Sequence, residues 1–175
     1  MTNIITTNPI YIEAATIGVI MTTPLWIKKI VLVPTATTSA ATLKYWEEDE
    51  GSVRVHQKSK TASGADSNTL NSTGNFEAAE AVATDAIKIY ESETGNNLGT
   101  WEITVVNSND GIDVAPSTLT TEASKIYSWK VYASYPVASM ATATFPPQQM
   151  DFDVPIKVPN LMVTVLTTGT LYIYS

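Results

Sequence analysis

Cysteine is absent and histidine occurs once, at position 56. No disulfide scaffold, thiol nucleophile or zinc site of the Cys/His type can be built from such a chain. Charge is sparse as well: Asp, Glu, Lys and Arg make up 15% of the 175 residues, well below the usual share. Seventeen acidic residues outnumber ten basic ones, for a net charge of −7. With no basic tract a phosphate backbone would be repelled, so nucleic acid is not an expected partner. Long apolar runs are missing too. Near the amino terminus Glu13, Pro24, Lys28 and Lys29 interrupt every apolar segment, so neither a signal peptide nor a membrane span is expected.

What fills the chain instead is Thr and Ser, 26 and 14 of them, on a background that is 44% hydrophobic. A polar, weakly charged surface over enough apolar residues for a core suits a β-rich protein. Ile10–Ile12 and Ile17–Ile20 read as short strands. Leu25–Val33 (LWIKKIVLV) is the strongest run, bounded by Pro24 and Pro34. Leu25, Ile27, Val31 and Val33 fall on one face, broken by Lys29. Trp26, Ile30 and Leu32 fall on the other, broken by Lys28. A strand apolar on both faces lies between two layers, or between a core and a partner. A stable homo-oligomer is the expectation that follows.

Thr42–Trp46 and Ser52–His56 flank the acidic turn Glu47-Glu48-Asp49-Glu50-Gly51 and read as a hairpin. Gln57–Asn75 is nearly all small and polar, with Leu70 its only large apolar residue, which predicts a flexible loop or arm. Phe76–Ala86 is the one helix candidate, with Asn75 as its cap. In KIYSWKVYA (125–133) Tyr127, Trp129 and Val131 share a face, and Ile126, Ser128, Lys130 and Tyr132 share the other. Phe152–Val158, Leu161–Leu166 and Thr170–Tyr174 complete the set. The last two are expected to form a hairpin across Thr167-Thr168-Gly169, with Gly169 at positive φ and Leu171 and Ile173 packed inward. A final strand this apolar must pair, and Ile10–Ile20 offers a neighbour. The fold class predicted is all-β: one jelly-roll-like β-sandwich domain over 1–175, with roughly nine to eleven short strands, the polar arm 57–75, and at most one short helix.

Chemistry-bearing residues do not converge in the sequence. His56 at a strand end has no nucleophile elbow near it, and reads as a solvated imidazole. The run 47–50 is a solvated acidic turn, since successive side chains diverge. Asn107–Asp113 resembles a calcium loop, but its ligand spacing fails around Gly111, leaving a turn with that glycine at positive φ. Asp151 and Asp153 share a strand face and repel unwanted strand addition. No catalytic residue, metal ligand or cofactor site is expected.

The segment PLWIKKIVLVP, the Thr/Ser/Ala-rich middle and the ending VPIKVPNLMVTVLTTGTLYIYS resemble small structural proteins of tailed bacteriophages. The resemblance implies a capsid decoration (cement) protein. Such a protein is commonly a trimer, contacts the major capsid protein or another virion protein, and resides in the virion after assembly in the host cytoplasm. The candidate interface residues are Trp26, Ile30, Leu32, Tyr127, Trp129, Tyr172 and Tyr174. A second reading, a carbohydrate- or receptor-binding β-sandwich module of a phage tail or fibre, would use exposed aromatics as a stacking platform. A β-sandwich hydrolase is the third, and lacks its constellation.

Overall fold

The computed structural model describes residues 4, 6–13, 19–49, 53–62, 68–71, 76, 81–108, 111–123, 125–142 and 146–175, with backbone alone at 19–20, 53–62, 108 and 142. Among the described residues every regular element is a strand, fourteen in all, arranged in three sheets. The chain divides into two compact units. Unit 1 is Met1–Tyr45 with Tyr135–Ser175, and unit 2 is the continuous stretch Trp46–Ser134. One domain over 1–175 was the expectation; each unit instead has its own apolar core.

In unit 1, β1 (Ile10–Glu13), β3 (Leu25–Val33), β12 (Gln148–Val158) and β14 (Thr170–Tyr174) form a sheet ordered β1-β14-β3-β12. A second sheet holds β2 (Val19–Met21), β4 (Ser39–Trp46), β11 (Ser134–Thr142) and β13 (Asn160–Leu166), ordered β11-β4-β13-β2. Together they make a β-sandwich whose core draws on both sheets. Ile10, Ile173 and Ile30 stand side by side across β1, β14 and β3, and Ile12, Leu171 and Leu32 form the next row. All six are buried. Such cross-strand rows fix the register, because a one-residue slip would turn each of them outward.

β14 therefore takes the amino-terminal strand as its neighbour, and Leu171 and Ile173 point inward as the alternation requires. It does not form a hairpin with β13, which lies in the other sheet. The Thr167–Gly169 turn crosses between sheets because its polar groups bind the start of β4. Thr167 N donates to Ala40 O (3.1 Å), Ala40 N donates to Thr167 Oγ1 (3.0 Å), and Ser39 Oγ meets Thr168 Oγ1 at 2.6 Å. Gly169 has φ +98°, and a Cβ there would lie 2.4 Å from Val33 O, so conformation and space both demand glycine. On β13 the core set is Leu161, Val163 and Leu166, with Val165 exposed.

β3 corrects a simple odd–even reading. Its buried residues are Ile27, Ile30 and Leu32, so the inward parity changes between 27 and 30. The pairing is irregular at the same place. Asp151 pairs with Lys29 and Ile156 with Ile27, so residues 152–155 of β12 bulge opposite the single Lys28. A bulge disrupts the ladder and increases the local twist.

Unit 2 contains β5 (Val53–Ala62), β6 (Thr69–Asn71), β7 (Ala86–Ser92), β8 (Gly99–Ser108), β9 (Gly111–Ala115) and β10 (Lys125–Tyr132) in one antiparallel sheet ordered β5-β10-β7-β8-β9-β6. The predicted arm is thus partly sheet. Residues 57–62 pair with β10, and Leu70 is buried in β6 opposite Ile112; residues 63–67 and 72–75 lie outside the described set. A ladder is made by backbone groups, so polar side chains did not prevent it. The predicted hairpin of 42–46 with 52–56 is not formed, since β4 and β5 belong to different sheets. The helix candidate 76–86 falls partly on residues 77–80, which lie outside the described set. In its described part no helix is present: Phe76 stacks on Trp129 with centroids 4.6 Å apart, 81–85 is irregular with a turn, and Ala86 opens β7. Gly111 is not at positive φ as expected; a Cβ there would sit 2.7 Å from Asn71 Oδ1, the end of a side chain that can move aside.

Candidate interaction surface

The outward face of the β1-β14-β3-β12 sheet carries the side chains that alternate with its core rows. Tyr11 and Tyr172 are register partners and meet edge to face, centroids 5.4 Å apart at 69°. Tyr11 Oη donates to Glu13 Oε1 at 2.6 Å, and this bond raises the phenol above its ordinary pKa. Lys29 Nζ lies 5.7 Å from the centre of the Tyr174 ring, a cation–π distance. Beyond Lys29 in the same row comes Asp151 of the edge strand. Trp26 is 57% exposed and pairs with Lys157, and Val154 at the crest of the β12 bulge is 77% exposed. These residues form an aromatic and mixed-charge strip that ends at an open strand edge.

The seven sequence candidates do not share one surface. Trp26, Tyr172 and Tyr174 belong to this strip. Ile30 and Leu32 are fully buried in unit 1's core, and Tyr127 and Trp129 are buried in unit 2's. As interface candidates these four are corrected to core residues. The change of parity on β3 puts the first two inward. The other two followed their own alternation, with Trp129 opposite Ile89 and Val131 opposite Ile87.

The remaining sites of interest resolve locally. His56 sits within β5 opposite Lys130, and its side chain lies outside the described set. Glu48 of the acidic turn binds Lys88 Nζ at 2.5 Å. Among the described residues no three Asp, Glu or His side chains converge as a metal site would need. Asp113 accepts from Thr69 Oγ1 and Asn107 Nδ2, each at 2.9 Å, which ties β6, β8 and β9 together. Asp151 and Asp153 are exposed on an edge strand. Near the amino-terminal end of β1 a cavity of about 560 Å³ is lined by uncharged groups, among them Thr7, Asn8, Met21, Thr22 and Leu25.

One cluster escaped sequence reasoning. Glu122 accepts from Tyr127 Oη, from Asn96 Nδ2 (2.8 Å) and from Thr94 Oγ1 (3.1 Å). Asn97 donates to Thr120 O (2.9 Å) and Tyr127 Oη (3.2 Å), and accepts from Thr120 N (2.6 Å). Burial first, then the bond to Glu122, pushes the Tyr127 phenol up to about 12. The same bond holds Glu122 below the ordinary carboxylate value. Every group is satisfied from within unit 2, so the cluster fastens the loops before β8 and β10. Residues 94–97 and 120–122 are distant in sequence; Gly95 at φ +77° and Asn97 at φ +56° mark a turn, but nothing local names its partner.

The chain matches no family model, no curated protein and no solved structure.

Proposed function

We propose that the chain is a non-enzymatic virion structural protein, of the kind that decorates a phage capsid as a homotrimer bound across capsid subunits. One observation carries the reading. Numbered along unit 1 alone, the eight strands fall into two sheets in the orders 1-8-3-6 and 5-4-7-2, changing sheet at every step except that from 4 to 5, an order that favours a jelly-roll reading over other sandwiches. That architecture recurs in viral capsid and lectin domains, and the argument from fold to role is one of analogy. The strip from Tyr11 to Val154 supplies a surface for a neighbour, with an exposed Trp and Tyr residues of the sort enriched in interfaces. The phage resemblance of the terminal segments adds to it.

The half-buried tyrosines Tyr11, Tyr172 and Tyr174 favour a second reading, a glycan- or receptor-binding module of a tail or fibre. Light scattering at micromolar concentration separates the two. A trimer mass that Trp26→Asp lowers to monomer is expected. A monomeric wild type would overturn the decoration reading. If Tyr172→Ala with Tyr174→Ala then abolished glycan binding, the second reading would stand.

A further inference from the structure

On the face of unit 2's sheet opposite its core, a pocket of about 250 Å³ is lined by Lys88 and Tyr90 of β7 and Lys130 and Tyr132 of β10. Lys88 and Lys130 are direct cross-strand partners. Like charges placed this way destabilise a sheet unless neighbours offset them, as Glu48 does for Lys88; the pairing still concentrates cations in a chain with ten basic residues against seventeen acidic ones. The opposing strands could have carried Thr or Glu here; they carry two cations flanked by two phenol rings.

From this juxtaposition we infer that the pocket binds an acidic sugar, a pyranose ring bearing a carboxylate. The volume suits one sugar ring. The lysines supply point charges for the carboxylate, and the tyrosines supply apolar ring surface for the C–H face together with hydroxyls for the sugar's own. Tyr90 is 42% exposed, which leaves the mouth open to solvent. Lys88 already binds one carboxylate: Glu48, which lies outside the sheet, sits 2.5 Å from its Nζ, and so competes with a ligand's carboxylate for that lysine. The inference concerns residues of unit 2 only and does not depend on the decoration role.

The test is a titration of the full-length protein with D-glucuronate, followed by amide chemical shifts, with glucose and inorganic phosphate as comparison ligands. Saturable shifts at Lys88, Tyr90, Lys130 and Tyr132 are expected with glucuronate and not with glucose. Lys88→Met should weaken binding roughly tenfold, the scale of one charge-assisted hydrogen bond, and Tyr90→Ala should weaken it with the charges intact. Glu48→Gln should tighten binding several-fold by freeing Lys88. Lys28→Met, in unit 1, should change nothing. Absence of saturable shifts, or a Glu48→Gln protein that binds no better, would overturn the proposal. Phosphate binding as well as glucuronate would do the same, by reducing the site to a bare anion contact.

Discussion

Tyr127 shows how much one side chain can tie together. Its ring fills unit 2's core, its hydroxyl donates to Glu122, and it accepts from Asn97. Its pKa rises from 10.0 to about 12, so the folded state resists ionisation that the unfolded chain accepts. The stabilisation is complete below pH 10 and is lost as pH climbs toward 12. Glu122 and Glu93 are shifted the other way, by the Tyr127 hydroxyl and by the Ile126 backbone N–H respectively. Their contribution is present above the ordinary carboxylate range and disappears as pH falls through it. Melting temperature should therefore decline at both ends of the pH scale. Tyr127→Phe should flatten the alkaline decline and also weaken the acid one, because Glu122 loses its strongest partner. An alkaline melting profile unchanged in Tyr127→Phe would show that the phenol carries none of this dependence.

At the scale of elements, β14 is the most exacting strand. It lies between β1 and β3, so its removal would break two pairings and expose two edges. Ile173→Ala should cost about 2–5 kcal/mol by denaturant unfolding, the range for large-to-small changes in a packed core. Tyr174→Ala, which loses an outward cation–π contact, should cost no more than about 1 kcal/mol. Equal effects would mean that the two faces of β14 are not distinguished by packing. Here period-two alternation was legible because β14 pairs on both sides without a register shift; on β10 it held for Tyr127, Trp129 and Val131 despite bulges in its pairings. On β3 the same reasoning failed beside the bulge at 152–155, and nothing within LWIKKIVLV reports an insertion in another strand. Turn chemistry was equally local. Gly169 was readable as a positive-φ residue, yet Thr-Thr-Gly does not say whether the next strand returns to the same sheet. For β5 the signal ended at His56, because a backbone ladder leaves no mark on a run such as QKSKTA.

The whole molecule is governed by how the chain enters and leaves unit 2. Unit 1 is discontinuous, leaving at Tyr45 and resuming at Tyr135, and those two rings lie 5.4 Å apart at 37°. Chain ends this close are the geometry in which an inserted unit is accommodated without disturbing its host. Unit 2 is closed at its own base by Asp85, whose Oδ1 accepts from Ser134 N at 3.1 Å and whose backbone oxygen accepts from Ile103 N at 2.8 Å. This division was invisible in composition, because the polar stretch read as an arm is also the entry to a second apolar core. Its consequence is direct. Replacing Trp46–Ser134 by a Gly/Ser linker of about four residues, a common connection length, should leave the eight strands of unit 1 folded, with a single cooperative unfolding transition and β-type circular dichroism. The excised Trp46–Ser134 fragment should likewise unfold cooperatively, since Phe76, Trp101, Tyr127 and Trp129 all remain within it. If both pieces were soluble only when joined, the two cores would be energetically one, and the unit boundaries would describe the path of the chain rather than the way stability is divided along it.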